Sequence, residues 1–257
     1  MRSRPAHLRT RVLGCPVDVV SIEQAVASLV DMVQAHRDDP KRPPALVITL
    51  NPEMVMLARR DAEFRRAIEA AALLVPDGIG LVRALRRRGH QAAVRVGGTD
   101  MLASYLPHAV RLGHRIAFAG AGPGVGAEAA RRLSQRVPGL QIVAVDAGPP
   151  DAATAERLKP AHPDMVWSAF GAGRQERFVL EHVGAAGAGV GIGVGGALDY
   201  FSGRTPRAPA MLRSAGLEWA WRLAIQPWRW RRQLVLPGFW VLERAEARRH
   251  TRAARTG

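Results

Sequence analysis

The sequence predicts an α/β fold in which a largely parallel sheet carries helices on both faces. Three observations lead there: short apolar runs alternate with longer stretches of helical periodicity, the connections are long enough for crossovers, and polar or glycine-rich residues follow the runs. In chain order, 21–35 reads as a helix and 45–50 (Ala-Leu-Val-Ile-Thr-Leu) as the first strand. A helix over 52–70 follows, then a strand at 72–75 and helices over 78–88 and 99–112. The run 115–119 (Arg-Ile-Ala-Phe-Ala) is a strand that leads through a glycine loop into a helix over 124–136. Strands at 141–145 and 164–169 flank a helix at 152–158, and a helix over 174–182 precedes the last strand at 189–194. That strand lies within the longest uncharged stretch, 184–198, which is too short and too rich in Gly and Ala for a membrane span.

The chain of 257 residues, 47% of them apolar, can fill a real core, which excludes a disordered basic protein. The strand-helix pattern closes near Leu198, so the expected organisation is a core at 1–203, an appendage at 204–247 and a disordered tail at 248–257. One cysteine, Cys15, rules out an internal disulfide framework and fits a reducing compartment. The basic N-terminus leads into no long apolar segment and predicts no signal peptide. A cytoplasmic protein is expected, with any membrane contact peripheral. The appendage is chemically distinct: from Arg204 onward there are twelve Arg and three Glu, and five of the six tryptophans lie there. Arginine supplies bidentate donors, and tryptophan prefers the wet edge of an apolar phase. The pairing suits phosphate binding or contact with an anionic membrane surface; the plainer reading is a basic helix packed on the core by its Trp face.

Ligands of parallel sheets bind beyond the carboxyl ends of the strands, and four such ends carry candidate residues. Thr49 and Asn51 follow the first strand, where they cap the helix at Pro52 or offer polar groups to a sugar. Asp77 follows the second, as the N-cap of the next helix or as a general base. The loop Gly120-Ala-Gly122-Pro-Gly124-Val-Gly126 could cradle a pyrophosphate at a helix N-terminus or simply turn tightly. Gly171-Ala-Gly173-Arg174-Gln175-Glu176 follows the 164–169 strand. The eight histidines and single cysteine show no metal-ligand spacing, and no Asp-x-Asp is present, so no metal and no cofactor are expected.

Taken together, several segments resemble the WecG/TagA/CpsF glycosyltransferases (glycosyltransferase family 26). They are Thr49-Leu-Asn51-Pro-Glu-Met-Val-Met-Leu-Ala, Pro76-Asp77-Gly78-Ile-Gly80, Arg95-Val-Gly-Gly-Thr-Asp100, Gly120–Gly126, Gly171–Glu176, Gly193-Val-Gly-Gly-Ala-Leu-Asp199, Arg207-Ala-Pro209 and Gly216-Leu-Glu-Trp219 with Arg222. The resemblance spans about residues 11 to 235, with Gly173 and Arg174 where the family has Pro and Lys, and Gln226 where it often has Glu. It implies a Rossmann-like core with a C-terminal helical appendage. It also implies an inverting, metal-independent hexosyltransferase that moves a sugar from a UDP-sugar to an undecaprenyl-diphosphate-linked saccharide, in exopolysaccharide, capsule, teichoic acid or common antigen synthesis. By resemblance, Asp77 is the base, with Thr49 beside it in catalysis, and Arg222, Arg229 and Arg232 neutralise the diphosphate. Asn51, Arg95, Gly120, Gly122, Gly124, Gln175 and Asp199 then surround the substrates. The three appendage arginines fall at i, i+7 and i+10, one stripe if a single helix bends at Pro227. The resemblance places the enzyme peripherally on the inner face of the cytoplasmic membrane and is compatible with a homo-oligomer.

Two other readings compete. Gly122-Pro-Gly124-Val-Gly-Ala127 with Asp146 at the end of the next strand superficially meets the dinucleotide fingerprint of an NAD(P)-dependent oxidoreductase. The net charge of +15 suggests a nucleic-acid binder, but no RNA-recognition signature accompanies it, and no nucleic acid partner is expected.

Overall fold

The computed structural model describes residues 7–209, 211–212, 217–227 and 230–256, with side chains as far as 249. Six strands form one parallel sheet in the order β4-β3-β8-β7-β5-β6. They are β3 (Ala45–Leu50), β4 (Leu73–Pro76), β5 (Arg115–Gly120), β6 (Gln141–Asp146), β7 (Met165–Ala169) and β8 (Val190–Gly193). All neighbours are parallel, as the alternation of strands and helices predicts.

Strand periodicity sorts the core into two layers. Leu46, Ile48 and Leu50 of β3 point to one face, while Val47 points to the other. The first face is covered by α2 (Pro52–Ala58), α3 (Ala62–Ala70), α4 (Ile79–Arg87), α7 (Ala152–Leu158) and α8 (Arg174–His182). The second is covered by α1 (Ile22–Asp38), α5 (Gly98–Leu112), α6 (Val125–Arg136) and α9 (Ala197–Phe201). In β8 the residues facing α8 are Gly191 and Gly193. A Cβ on Gly191 would overlap Val179, and one on Gly193 would meet Gln175 and Glu176, so the glycines set how closely α8 approaches.

Three features depart from the sequence reading. The N-terminal segment is a hairpin, β1 (Leu8–Val12) and β2 (Cys15–Val19), turned by Leu13 and Gly14, both at positive φ. Asp18 of the hairpin is buried, pairs with Arg9 at 2.7 Å and accepts the Leu74 N–H at 2.8 Å, fixing the hairpin beside β4. The helix expected over 52–70 is two helices, because Asp61 caps a new start by accepting the Phe64 N–H. The appendage is likewise not one bent helix. α10 (Glu218–Ile225) ends before Pro227, which has no N–H to carry it on, and α11 (Trp230–Gln233) and α12 (Val235–Thr256) follow. α12 takes in positions 248–256, for which the sequence predicts disorder; the Arg/Ala composition there has high helix propensity.

α12 lies against α2 and α4 and completes the first layer. Phe239 is fully buried in that layer, and Trp240 and Leu242 pack at its edge. Glu243, also fully buried, takes Arg87 of α4 and Arg88, the residue that follows it, as partners, while Glu246 binds Arg88 and the Leu13 N–H. Phe239→Ala is expected to cost about 3–5 kcal/mol, the range for deleting a buried aromatic ring. Chemical denaturation checks this, and a change below about 1 kcal/mol would mean that α12 rests on the core without stabilising it.

Candidate active site

The carboxyl ends of β3, β4, β7 and β8 open into a cleft of about 850 Å³, closed on its far side by α10, α11 and the start of α12. Thr49, Asn51, Asp77, Arg95, Gln175, Asp199, Arg222 and Arg232 all line it. The glycine loop borders a second, smaller cavity of about 460 Å³, which shares Ala169, Phe170, Gly195 and Asp199 with the first. Gly120 and Gly122 line the smaller cavity; Gly124 lines neither and serves as the left-handed N-cap of α6. β6 and β7 lie on opposite sides of β5, so the loop after β5 sits at a topological switch point.

Asp77 leaves β4 with its backbone N–H bonded to Leu50 O at 2.8 Å. It does not cap α4: the N-cap there is Gly78, at φ 99, with no side-chain bond. The carboxylate instead meets Arg95 Nη1 at 3.4 Å and the Gly98 N–H at 3.4 Å, both long contacts. Enclosure by protein raises its pKa to about 6; Arg95 and the Gly98 N–H pull it down, while Glu218 and Asp100 push it up. Such a carboxylate is ionised at neutral pH yet basic enough to accept a proton.

Thr49 stands at the end of β3, where the absence of a side chain on Gly98 gives it room. Asn51 caps α2 by accepting the Met54 N–H at 3.0 Å and also lines the cleft. Gln175, almost wholly buried, is fixed at both ends of its amide. Its Oε1 accepts the Gly195 N–H at 3.2 Å and its Nε2 donates to Glu176 Oε1 at 2.7 Å. Glu176 also accepts the Gly173 N–H at 2.7 Å, and burial pushes its pKa up to about 7 against those two bonds.

Arg222 enters the cleft from α10. Its guanidinium lies 5.1 Å over the Tyr200 ring, and the bare Cα of Gly196 leaves room for Nη2. Its Nε and Nη2 are buried and meet no hydrogen-bond partner among the described residues. Buried donors without partners are costly, and Arg222 presents two of them at the cleft. Arg232 is at the mouth, on α11, paired with Glu53 at 3.2 Å. The expected stripe on one helix is thus corrected: Arg222 and Arg232 reach the cleft from separate helices. Arg229 lies outside the described residues, as does Trp228.

Three cleft residues, Asp100, Arg207 and Glu218, had no assigned role in the sequence reading and gather about Arg95, which had one. Arg95 Nη2 binds Asp100 at 3.0 Å and Nη1 binds Glu218 at 3.2 Å, while Arg207 binds the other oxygen of Asp100 at 2.7 Å. Asp100 and Glu218 stand inside the motifs quoted above, but only the folded contact across 123 positions joins Glu218 to Arg95. Trp219 and Trp240 line the cleft, Trp219 nearly half exposed. Trp230 is half exposed on α11, and Trp221 donates its Nε1–H to Pro206 O at 3.2 Å, so the tryptophans divide between packing and exposure. No helix among the described residues is long and apolar enough to cross a membrane. Among the same residues, no three His, Cys, Asp or Glu side chains gather to hold a metal.

The geometry removes support for the dinucleotide reading. Asp146, the residue needed for a ribose hydroxyl, is gripped by Arg157 at 2.6 and 3.1 Å and bonded by the Gly148 N–H at 2.7 Å. The strand order also differs from the 3-2-1-4-5-6 of dinucleotide-binding sheets.

Sequence comparison identifies the family. The chain is 31% identical over 220 residues to the N-acetylglucosaminyldiphosphoundecaprenol N-acetyl-beta-D-mannosaminyltransferase of Bacillus subtilis (strain 168), covering 85% of this chain and 86% of that protein. It is 33% identical over 212 residues to the protein of the same name from Bacillus spizizenii (strain ATCC 23059 / NRRL B-14472 / W23), covering 80% and 82%. The family of Glycosyl transferases WecG/TagA/CpsF matches residues 10–253, nearly the whole chain, cleft and C-terminal helices included. This protein is therefore a hexosyltransferase belonging to the WecG/TagA/CpsF glycosyltransferase family.

Proposed function

We propose that this glycosyltransferase moves a hexose-derived sugar from a UDP-sugar to a saccharide carried on undecaprenyl diphosphate, with inversion and without a metal. The observation that carries the reading is the pairing, in one cleft, of a weakly held carboxylate, Asp77, with a guanidinium, Arg222, whose Nε and Nη2 meet no hydrogen-bond partner among the described residues. Asp77 takes the proton of the acceptor hydroxyl as its oxygen bonds to the anomeric carbon. The bond from that carbon to the UDP oxygen breaks on the opposite face, which inverts the centre. UDP departs with the electron pair, and Arg222, helped by Arg232, meets the charge as it develops. Thr49, Asn51 and Gln175 supply the hydroxyl and amide groups that hold the sugars, and Asp199 borders both cavities. The loop at Gly120 and Gly122, with Arg174 beside it, suits the donor nucleotide.

The curated relatives are named for a lipid-linked acceptor, which supports the same acceptor class here. Trp219 at the cleft, and Trp230 and Leu234 in the C-terminal helical segment, are exposed and suit peripheral contact with an anionic membrane, on the cytoplasmic face where the UDP-sugar would be found. Which bacterial surface polysaccharide the product enters follows from the acceptor.

Asp77→Asn keeps the shape of the side chain and removes its basicity, so turnover is expected to fall about a hundredfold or more while UDP binding stays intact. In the unaltered enzyme kcat/KM should rise as pH passes upward through about 6, because only the ionised carboxylate accepts a proton, and level off above it. Near wild-type turnover in Asp77→Asn would require a different base.

Arg222→Ala should lower turnover about a hundredfold even on a short, water-soluble acceptor, since the charge on departing UDP is the same. Activity should survive excess EDTA. Loss to EDTA with recovery on adding manganese or magnesium would assign leaving-group stabilisation to a cation instead.

A further inference from the structure

The carboxylate of Glu218 belongs to α10, yet its recorded partner is Arg95, the same guanidinium that holds Asp77. Three carboxylates share this one cation. Nη2 is taken by Asp100 at 3.0 Å, while Nη1 is divided between Glu218 at 3.2 Å and Asp77 at 3.4 Å. Elsewhere in the molecule Arg9, which meets a single carboxylate, holds Asp18 at 2.7 and 2.8 Å while also donating to the carbonyls of Ala71 and Ala72. The Asp77 contact is the longest of the three, on the nitrogen that Glu218 also holds. Burial works against the Arg95 charge, but the three carboxylates outweigh it and keep the guanidinium charged.

We propose that Glu218 is a positioning residue which, when α10 is docked, draws Arg95 away from Asp77 and leaves that carboxylate free to take a proton. The inference rests on the reading of Asp77 as the base and adds what sets its strength. Glu218 also opens the face of α10 that carries Arg222 one turn later, so a single helix would bring both the tuning carboxylate and the leaving-group cation.

Among the described residues, the charged groups that bear on Asp77 come from three segments. Arg95 lies in the segment before α5, Asp100 on the first turn of α5 with Arg207 behind it, and Glu218 on α10. Removing the Glu218 charge acts on Asp77 in one direction only. It deletes a like charge and releases Nη1, and both effects make Asp77 more acidic.

The test compares pH profiles of kcat/KM for the full chain carrying Glu218→Gln, Glu218→Asp or no change, with a UDP-sugar and a lipid-linked acceptor. In Glu218→Gln the ascending limb should move down by roughly one pH unit and the plateau should fall several-fold, as expected for a weaker base. Glu218→Asp retains the charge and should keep its limb within a few tenths of a unit of the parent. The limb's position does not depend on how much of a preparation is folded, so partial misfolding of a variant leaves the comparison intact. A limb that stays put in Glu218→Gln, or moves equally in both variants, overturns the proposal.

A second readout is independent of turnover: NMR titration of the Asp77 carboxyl carbon, assigned by its loss in Asp77→Asn. The carboxyl should titrate lower in Glu218→Gln than in the parent. An unmoved titration overturns the coupling even if Asp77→Asn is inactive. Conversely, an active Asp77→Asn with a shifted titration removes the base assignment and keeps the electrostatic link, so the two failures are distinguishable.

Discussion

Glu243 is a carboxylate with no exposure to solvent, and the C-terminal third of the site depends on how its charge is met. A buried charge with one partner removed destabilises a protein by about 3–5 kcal/mol, so α12 can lie on α4 only where Arg87 and Arg88 both reach it. The consequence is positional rather than merely stabilising. α4 is the helix that begins just after Asp77, and α12 brings Leu236, Pro237 and Trp240 to the cleft wall. Two arginines at the end of α4 therefore register the far end of the chain against the helix that follows the candidate base. The segment predicted to be an appendage is, through Phe239 and Glu243, part of the core layer.

The distribution of charge bears on how the composition should be understood. A net +15 suggests a cationic surface for a polyanion, but the cleft itself is mixed. Glu53, Asp77, Asp100, Asp199 and Glu218 share it with Arg83, Arg95, Arg207, Arg222 and Arg232. Most of these arginines are engaged with carboxylates: Arg95, Arg207 and Arg232 all have partners within 3.4 Å. Arg222 alone among the predicted diphosphate ligands that the structure describes enters without one, and it does so over an aromatic face. A guanidinium held within the cleft interacts more strongly with a charge there than solvated ones on the surface do.

Much of this was legible in the sequence because parallel strands announce themselves. Each of the six is a short apolar run followed by turn residues, and the catalytic candidates follow directly, since Asp77, Thr49 and Gln175 sit where strands end. What escaped had no local signature. The hairpin at residues 8–19 alternates apolar and charged residues weakly and turns on Leu13, a residue not expected at positive φ. The division of 52–70 depended on one cap at Asp61, and the division of the arginine stripe on one missing N–H at Pro227. The shared cation at Arg95 was invisible for a different reason: its partners come from Asp77, Asp100 and Glu218, and only the folded chain brings those three together.

The pairing of β3 with β8 sets a schedule for synthesis. Ala45 lies against Val190, so β3 leaves the ribosome with one of its two edges unpaired and keeps it so while the intervening chain is made. At ordinary translation speeds that wait is roughly ten to thirty seconds, long on the scale of strand association. During it the nascent protein shows an open apolar edge and no complete site, because Gln175, Arg222 and Trp240 do not yet exist. Holdase chaperones are the natural guardians of such an edge. A ribosome that stalls before β8 would release a fragment with an unprotected strand and no catalytic cleft, a product suited to degradation rather than to partial activity.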